Sequence, residues 1–141
     1  MKLDVWSFSG LLVLLAGCQP WVGSSFQLIY APSGVCSALE FTDYSGLVSS
    51  ITNPSGDELR VSKGQPVQLQ AKSSTTYNVG YGPVIATATV ELDLEFRCLP
   101  DKPPVRGRYR VNADKPSERL KVSENAATPS GLEIVFETYD P

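Results

Sequence analysis

The chain has 141 residues, with 12 Lys and Arg against 15 Asp and Glu, a formal charge of −3, and 42% hydrophobic residues. That length bounds it at one domain, the composition excludes disorder, collagen and coiled coil, and the mild negative balance argues against nucleic acid, whose binders need a dense basic field. There is no histidine, which removes Ser-His-Asp and Cys-His catalysis, imidazole metal sites and histidine pH switches.

The first segment pairs a charged start, Met1-Lys2, with a short apolar stretch from Val5 to Ala16 and then small residues. A membrane-spanning helix needs about 20 apolar residues, so this stretch reads as a secretory signal. Its end, Leu15-Ala16-Gly17-Cys18, resembles the lipobox of bacterial lipoproteins. The resemblance implies cleavage before Cys18, a diacylglycerol on its thiol and an acyl chain (palmitate) on its new amino group. Asp4 departs from the pattern by weakening the positive start. At about 0.8 kcal/mol per buried methylene, two or three chains anchor a protein stably. By the sorting rule of that family, Gln19 rather than aspartate after the cysteine implies the outer membrane, on its periplasmic or surface side. Residues 18–25 then read as a lipidated tether, with Pro20 and Gly23-Ser24-Ser25 suited to an irregular connector. Trp21 suits either the headgroup zone or the edge of the domain.

With Cys18 acylated, Cys36 and Cys98 remain, and an exported chain with an even remainder pairs them in a disulfide. They lie 62 residues apart, and loop-closure entropy then gives about 4 kcal/mol of stabilisation. No C-x-x-C spacing favours a catalytic pair.

The body reads as strands. Residues 26–31 and 35–42 form an expected opening pair around Pro32-Ser33-Gly34, and 47–52 a short strand ending at the Asn53-Pro54-Ser55-Gly56 turn. Residues 59–62 and 66–71 flank Lys63-Gly64 as a candidate hairpin. The stretch Thr75-Thr76-Tyr77-Asn78-Val79-Gly80-Tyr81-Gly82-Pro83 reads as a loop. Its tyrosines either offer contact area to a sugar or protein partner, or alternate into the core.

Between 88 and 98 even positions are apolar and odd positions polar, which predicts a strand with one buried face carrying Cys98. Residues 105–111 alternate as strictly, and Leu99 to Pro104 supply a proline-rich turn, so the two predict an antiparallel hairpin. The expected register sets Cys98 opposite Val105, Asp93 opposite Arg110, Glu95 opposite Arg108, Phe96 opposite Gly107 and Leu94 opposite Tyr109. Residues 119–123 and 132–139 close the fold around the loop 126–131, with Lys121 near Glu133 or Glu137. About eight short strands with many turn signals predict an all-β fold, an antiparallel β-sandwich, the alternative being a small β-barrel. The segment Val61-Ser62-Lys63-Gly64-Gln65-Pro66-Val67-Gln68-Leu69-Gln70-Ala71 resembles the early hairpin of bacterial immunoglobulin-like domains, and the cysteine spacing is compatible with an inter-sheet bridge. The strand-C tryptophan of those domains is absent, and Phe96 stands at the tyrosine-corner position.

Chemistry has few places to sit. Glu91, Asp93 and Glu95 share a strand face at roughly 7 Å spacing, compatible with a carboxylate hydrolase, but in the expected hairpin cross-strand arginines neutralise two of them. Arg106, Arg108 and Arg110 form a stripe whose unpaired end, Arg106 facing Arg97, could hold an anion. Asp43, Asp57 and Asp101 stand singly in turns without the order of a calcium loop. The expectation is a signal peptide over 1–17, a tether over 18–25 and one β-sandwich domain over 26–141. It is a non-enzymatic binding or accessory subunit of an envelope protein assembly, held to the membrane by its lipid and using no cofactor or metal. Tyr77, Asn78, Tyr81, Arg97 and Arg106 are the candidate partner contacts. A glycan- or lipopolysaccharide-binding module and an inhibitor of a periplasmic hydrolase are the alternatives.

Overall fold

The computed structural model describes residues 22–70, 75–84, 89–112 and 118–138. The signal peptide, Cys18, Trp21 and the start of the tether lie outside the described residues. Within them the chain is all-β: β1 (Val22–Ala31), β2 (Ala38–Asp43), β3 (Val48–Thr52), β4 (Glu58–Arg60), β5 (Val67–Gln70), β6 (Thr75–Val84), β7 (Thr89–Cys98), β8 (Val105–Asn112), β9 (Glu118–Glu124) and β10 (Leu132–Thr138). They form a six-stranded sheet in the order β10-β9-β1-β6-β3-β4 and a four-stranded sheet in the order β5-β2-β7-β8. The two are the layers of a β-sandwich, and among the described pairs only β1 with β9 is parallel.

The period-two alternation places Phe26, Leu28 and Tyr30 of β1, Val79 and Tyr81 of β6, and Leu120 and Val122 of β9 on one inner face. Leu39 and Phe41 of β2, Leu69 of β5, and Leu92, Leu94 and Phe96 of β7 line the other. Phe41 and Phe96, register partners, meet in a tilted ring contact at 5.4 Å.

Several local expectations are corrected. Residues 26–31 and 35–42 do not pair: β1 lies between β6 and β9, while β2 joins β5 and β7 in the other sheet. The hairpin around Lys63-Gly64 does not form either, since β4 pairs with β3 and β5 with β2. Both segments around their turns are sheet-switching connections, which turn chemistry alone does not distinguish from hairpins. The stretch read as a loop is β6, bonded on both sides by β1 and β3, and its partner Val84 lets β1 begin at Val22, inside the expected tether. The closing hairpin of β9 and β10 forms as expected, with Lys121 reaching Glu137 at 3.2 Å on the diagonal.

The β7–β8 hairpin also forms, two residues out of the expected register. Phe96, not Cys98, opposes Val105; Asp93 opposes Arg108, Glu95 opposes Arg106, Leu94 opposes Gly107 and Leu92 opposes Tyr109. The turn takes that rung instead: the Cys98 carbonyl accepts from Lys102 N–H at 3.2 Å, and the ladder to β8 begins at Phe96 with Val105. A slip of two keeps every side chain on its face. Gly107 is covered by its own neighbour Tyr109 rather than by Phe96, and a Cβ there would meet the Tyr109 hydroxyl at 2.8 Å.

Cys36 and Cys98 form the expected disulfide, with both residues buried. The bridge does not string the two sheets together. Cys98 pairs with Leu39 in the β2–β7 ladder and Cys36 lies in the connection just before β2, so the bond ties that connection to its own sheet. Gly131 packs against it: φ is +71° and a Cβ would lie 3.1 Å from the Cys98 sulfur, so only glycine suits the position.

Candidate binding surface

The most strongly held polar groups are three inward-facing carboxylates, each at a place where the chain changes sheet. Glu124 ends β9 and is 9% exposed. One of its oxygens accepts from the N–H groups of Ser33, Val35 and Cys36 at 2.8, 2.9 and 3.3 Å, and the other from the Tyr30 hydroxyl. Burial would push this carboxyl up, but the bonds from Tyr30 and the three N–H groups outweigh it and hold its pKa below the ordinary value. Burial and the same Glu124 bond raise the Tyr30 phenol. Asp43, fully buried at the end of β2, accepts from Ser45 and from Val48 N–H at 3.0 Å, fixing the passage to β3. Glu118, 1% exposed, accepts from Asn112 N–H at 3.1 Å, joining the end of β8 to the start of β9. These groups are consumed by the fold. Sequence reasoning set Asp43 singly in a turn, where it instead ends β2 and is buried, and passed over Glu118 and Glu124, although these share the parity of Leu120 and Val122, which already points them inward.

The outer face of the four-stranded sheet is of another kind. The acids of β7 and the arginines of β8 pair one rung off the register. Arg106 donates from Nε and Nη2 to both oxygens of Asp93 at 2.9 Å each, and Arg108 reaches Glu91 at 3.5 Å. The fork from Arg106 holds the Asp93 carboxyl below its usual value. The Arg106 guanidinium also sits 4.0 Å from the centre of the Tyr44 ring. The Glu95 carboxylate beside the Tyr44 hydroxyl raises the pKa of the phenol. The offset leaves an acid at one end, taken by Tyr44, and a cation at the other: among the described residues Arg110 has no ion pair. Tyr44 carried no signal in the sequence, because it stands beyond the alternating run that marks β2.

The five candidate contacts do not converge. Tyr77 and Tyr81 face inward, at 8% and 1% exposure, and the Tyr81 hydroxyl bonds to Ser24 at 3.1 Å. Asn78, between them on β6, is exposed on the outer face of the six-stranded sheet. Arg97 and Arg106 lie on the outer face of the other sheet and both border Tyr44, but Arg106 opposes Glu95, not Arg97, and turns to Asp93. Arg97 opposes Glu40 of β2. The expected accumulation of positive charge between the two arginines is thus dispersed by acids on either side.

Two hollows border the edge strand β4. One of about 300 Å³ lies between β4 and β5, walled by Ile51, Leu59, Leu69 and Tyr77 with Asp57 and Gln68 at its rim. Burial raises the Tyr77 phenol there. The other, about 460 Å³ and polar, is lined by Ser49, Ser50, Glu58 and Arg60. Among the described residues no group of three or more Cys, Asp or Glu is placed to hold a metal ion. Set against family models, curated proteins and solved structures, the chain matches none of them.

Proposed function

We propose that this chain is an exported, lipid-anchored binding subunit of an envelope protein assembly, held at the outer membrane through Cys18 and performing no catalysis of its own. The observation that supports this reading best is the buried Cys36–Cys98 bond, because a disulfide of this kind persists in an oxidising compartment. It leaves Cys18 as the one other cysteine, standing at the end of Leu15-Ala16-Gly17. Two of the three acids considered for hydrolysis are engaged elsewhere, Asp93 by Arg106 and Glu91 by Arg108. A glycan site built on Tyr77 or Tyr81 lacks contact area, since both rings face the core.

The test is expression in a bacterium with an outer membrane, followed by fractionation and intact-mass measurement of the native chain and of Cys18→Ser. The native chain should sediment with the outer membrane and carry the added mass of its acyl chains, whereas Cys18→Ser should be released. An unlipidated native chain, or a Cys18→Ser chain that stays on the membrane, would overturn the anchoring. Crosslinking in intact cells should give a discrete heavier species containing a second envelope protein.

A further inference from the structure

Among the described residues four strands stand at the edges of the sheets: β4, β5, β8 and β10. Edges of this kind are templates for pairing, and proteins commonly blunt them by keeping them short. β4 and β5 have three and four residues. β8 has eight, from Val105 to Asn112, without a proline.

The ladder fixes which backbone groups of β8 look outward. Asp93 C=O accepts from Tyr44 and Leu99 N–H donates to Ala38, so the odd-numbered residues of β7 serve β2 and the even-numbered ones serve β8. Their partners Val105, Gly107, Tyr109 and Val111 bond back to β7. Arg106, Arg108, Arg110 and Asn112 therefore direct N–H and C=O to the open edge. Asn112 N–H is taken by Glu118, which closes one end. Among the described residues three consecutive outward rungs remain without a partner, and each carries an arginine on the outer face of the sheet.

The side chains add two further constraints. On the outer face the rung offset leaves the Arg108–Arg110 end rich in positive charge, with the Arg108 side chain 74% exposed. On the inner side Val105 and Tyr109 are only half-buried, and so is Phe136, whose ring stands 6.0 Å from Tyr109 at the rim of the opposite sheet. An added strand would meet arginines on one face and this uncovered apolar rim on the other. Antiparallel pairing of β8 with a second copy of itself sets arginine against arginine, which disfavours it.

We propose that the edge of β8 receives an extended segment of a partner protein as a fifth strand, with acidic residues at alternate positions opposite Arg106, Arg108 and Arg110 and apolar residues between them. This mode takes affinity from main-chain bonds and selectivity from alternate side chains. The proposal deepens the binding-subunit reading, and its test in solution is independent of the anchor.

The test uses the full chain in detergent, labelled for amide NMR, and a blocked octapeptide alternating Glu and Val. The expected result is saturable binding, weakened by salt, with the largest amide shifts at Arg106, Arg108 and Arg110. A peptide alternating Lys and Val should bind weaker by about tenfold or more. Arg108→Pro removes one outward N–H without touching the bonds to β7, and Arg108→Ala removes the same charge but keeps that N–H. The proline variant should bind about tenfold more weakly than the alanine variant, with unchanged circular dichroism. If the proline variant unfolds, a Glu–Val peptide N-methylated at alternate residues applies the same test from the ligand side. Equal binding of the two peptides, equal binding of the N-methylated and plain peptides, or shifts confined to β10 or β4 would overturn the proposal.

Discussion

The carboxylates inside the sandwich and those on its outer face are chemically the same group set in opposite circumstances. Glu124, Asp43 and Glu118 are buried and satisfied largely by N–H groups of connecting segments. Glu91 and Asp93 stand on a wet face and are satisfied by long arginine side chains. In the first set, withdrawing the acceptor strands buried backbone donors; in the second, water replaces the lost partner. Inner acids therefore specify where the chain changes sheet, while outer ones tune the charge of a surface. The same contrast leaves the outer face free to take part in recognition.

The largest effect should come at the β1–β2 connection, which carries both a disulfide and the Glu124 cradle. Replacing Cys36 and Cys98 by alanine is expected to cost about 4 kcal/mol, set by the 62-residue separation of the pair. Glu124→Ala should cost about 3 kcal/mol, because three backbone N–H groups and the Tyr30 hydroxyl lose their acceptor in a buried place. Both ties hold residues 33–36, so the triple variant should lose less than the sum of the two costs. Denaturant unfolding of the full chain measures all three values. Strict additivity would show that the disulfide and the carboxylate act on separate parts of the fold.

Acid sharpens the comparison next. The pKa of Glu124 is lowered in the fold, so its stabilising contribution is complete above the ordinary glutamate value of about 4.3 and is lost as pH falls through the lower folded value. Glu124→Gln should be less stable than the native chain at neutral pH and should show a flatter decline below about pH 4. A variant whose acid limb superimposes on the native curve would assign the acid sensitivity to other carboxylates.

The outer strands were legible because their pattern is long and strict: ten residues of β7 and eight of β8 alternate without a break. Their register was not, since a slip of two preserves every face and the bond that takes the next rung, Lys102 to Cys98, belongs to the turn. Pairing of neighbours in sequence was the natural expectation for residues 26–42 and 59–71, and sheet switching defeated it twice. What fixes the first switch is the Glu124 cradle and the pairing of β1 with β9, about 90 residues downstream, and in the second the Gly64 N–H donates to the Asp43 carbonyl at 2.7 Å. The candidate contacts failed to converge for a related reason. They were chosen by residue type, whereas parity along β6 alone separates Tyr77 and Tyr81 from Asn78.

Arg106→Ala is the smallest of these effects and the most discriminating. The side chain is 52% exposed even while it grips Asp93 and covers Tyr44. Its removal should barely move the denaturant midpoint, and what loss there is should shrink further as salt rises. That expectation holds despite the two-pronged geometry, because water can replace the arginine at Asp93 in a way it cannot at Glu124. A cost near that of Glu124→Ala would place the outer face among the structural elements of the fold. It would also remove the physical basis for treating the arginine row as a surface available to a partner.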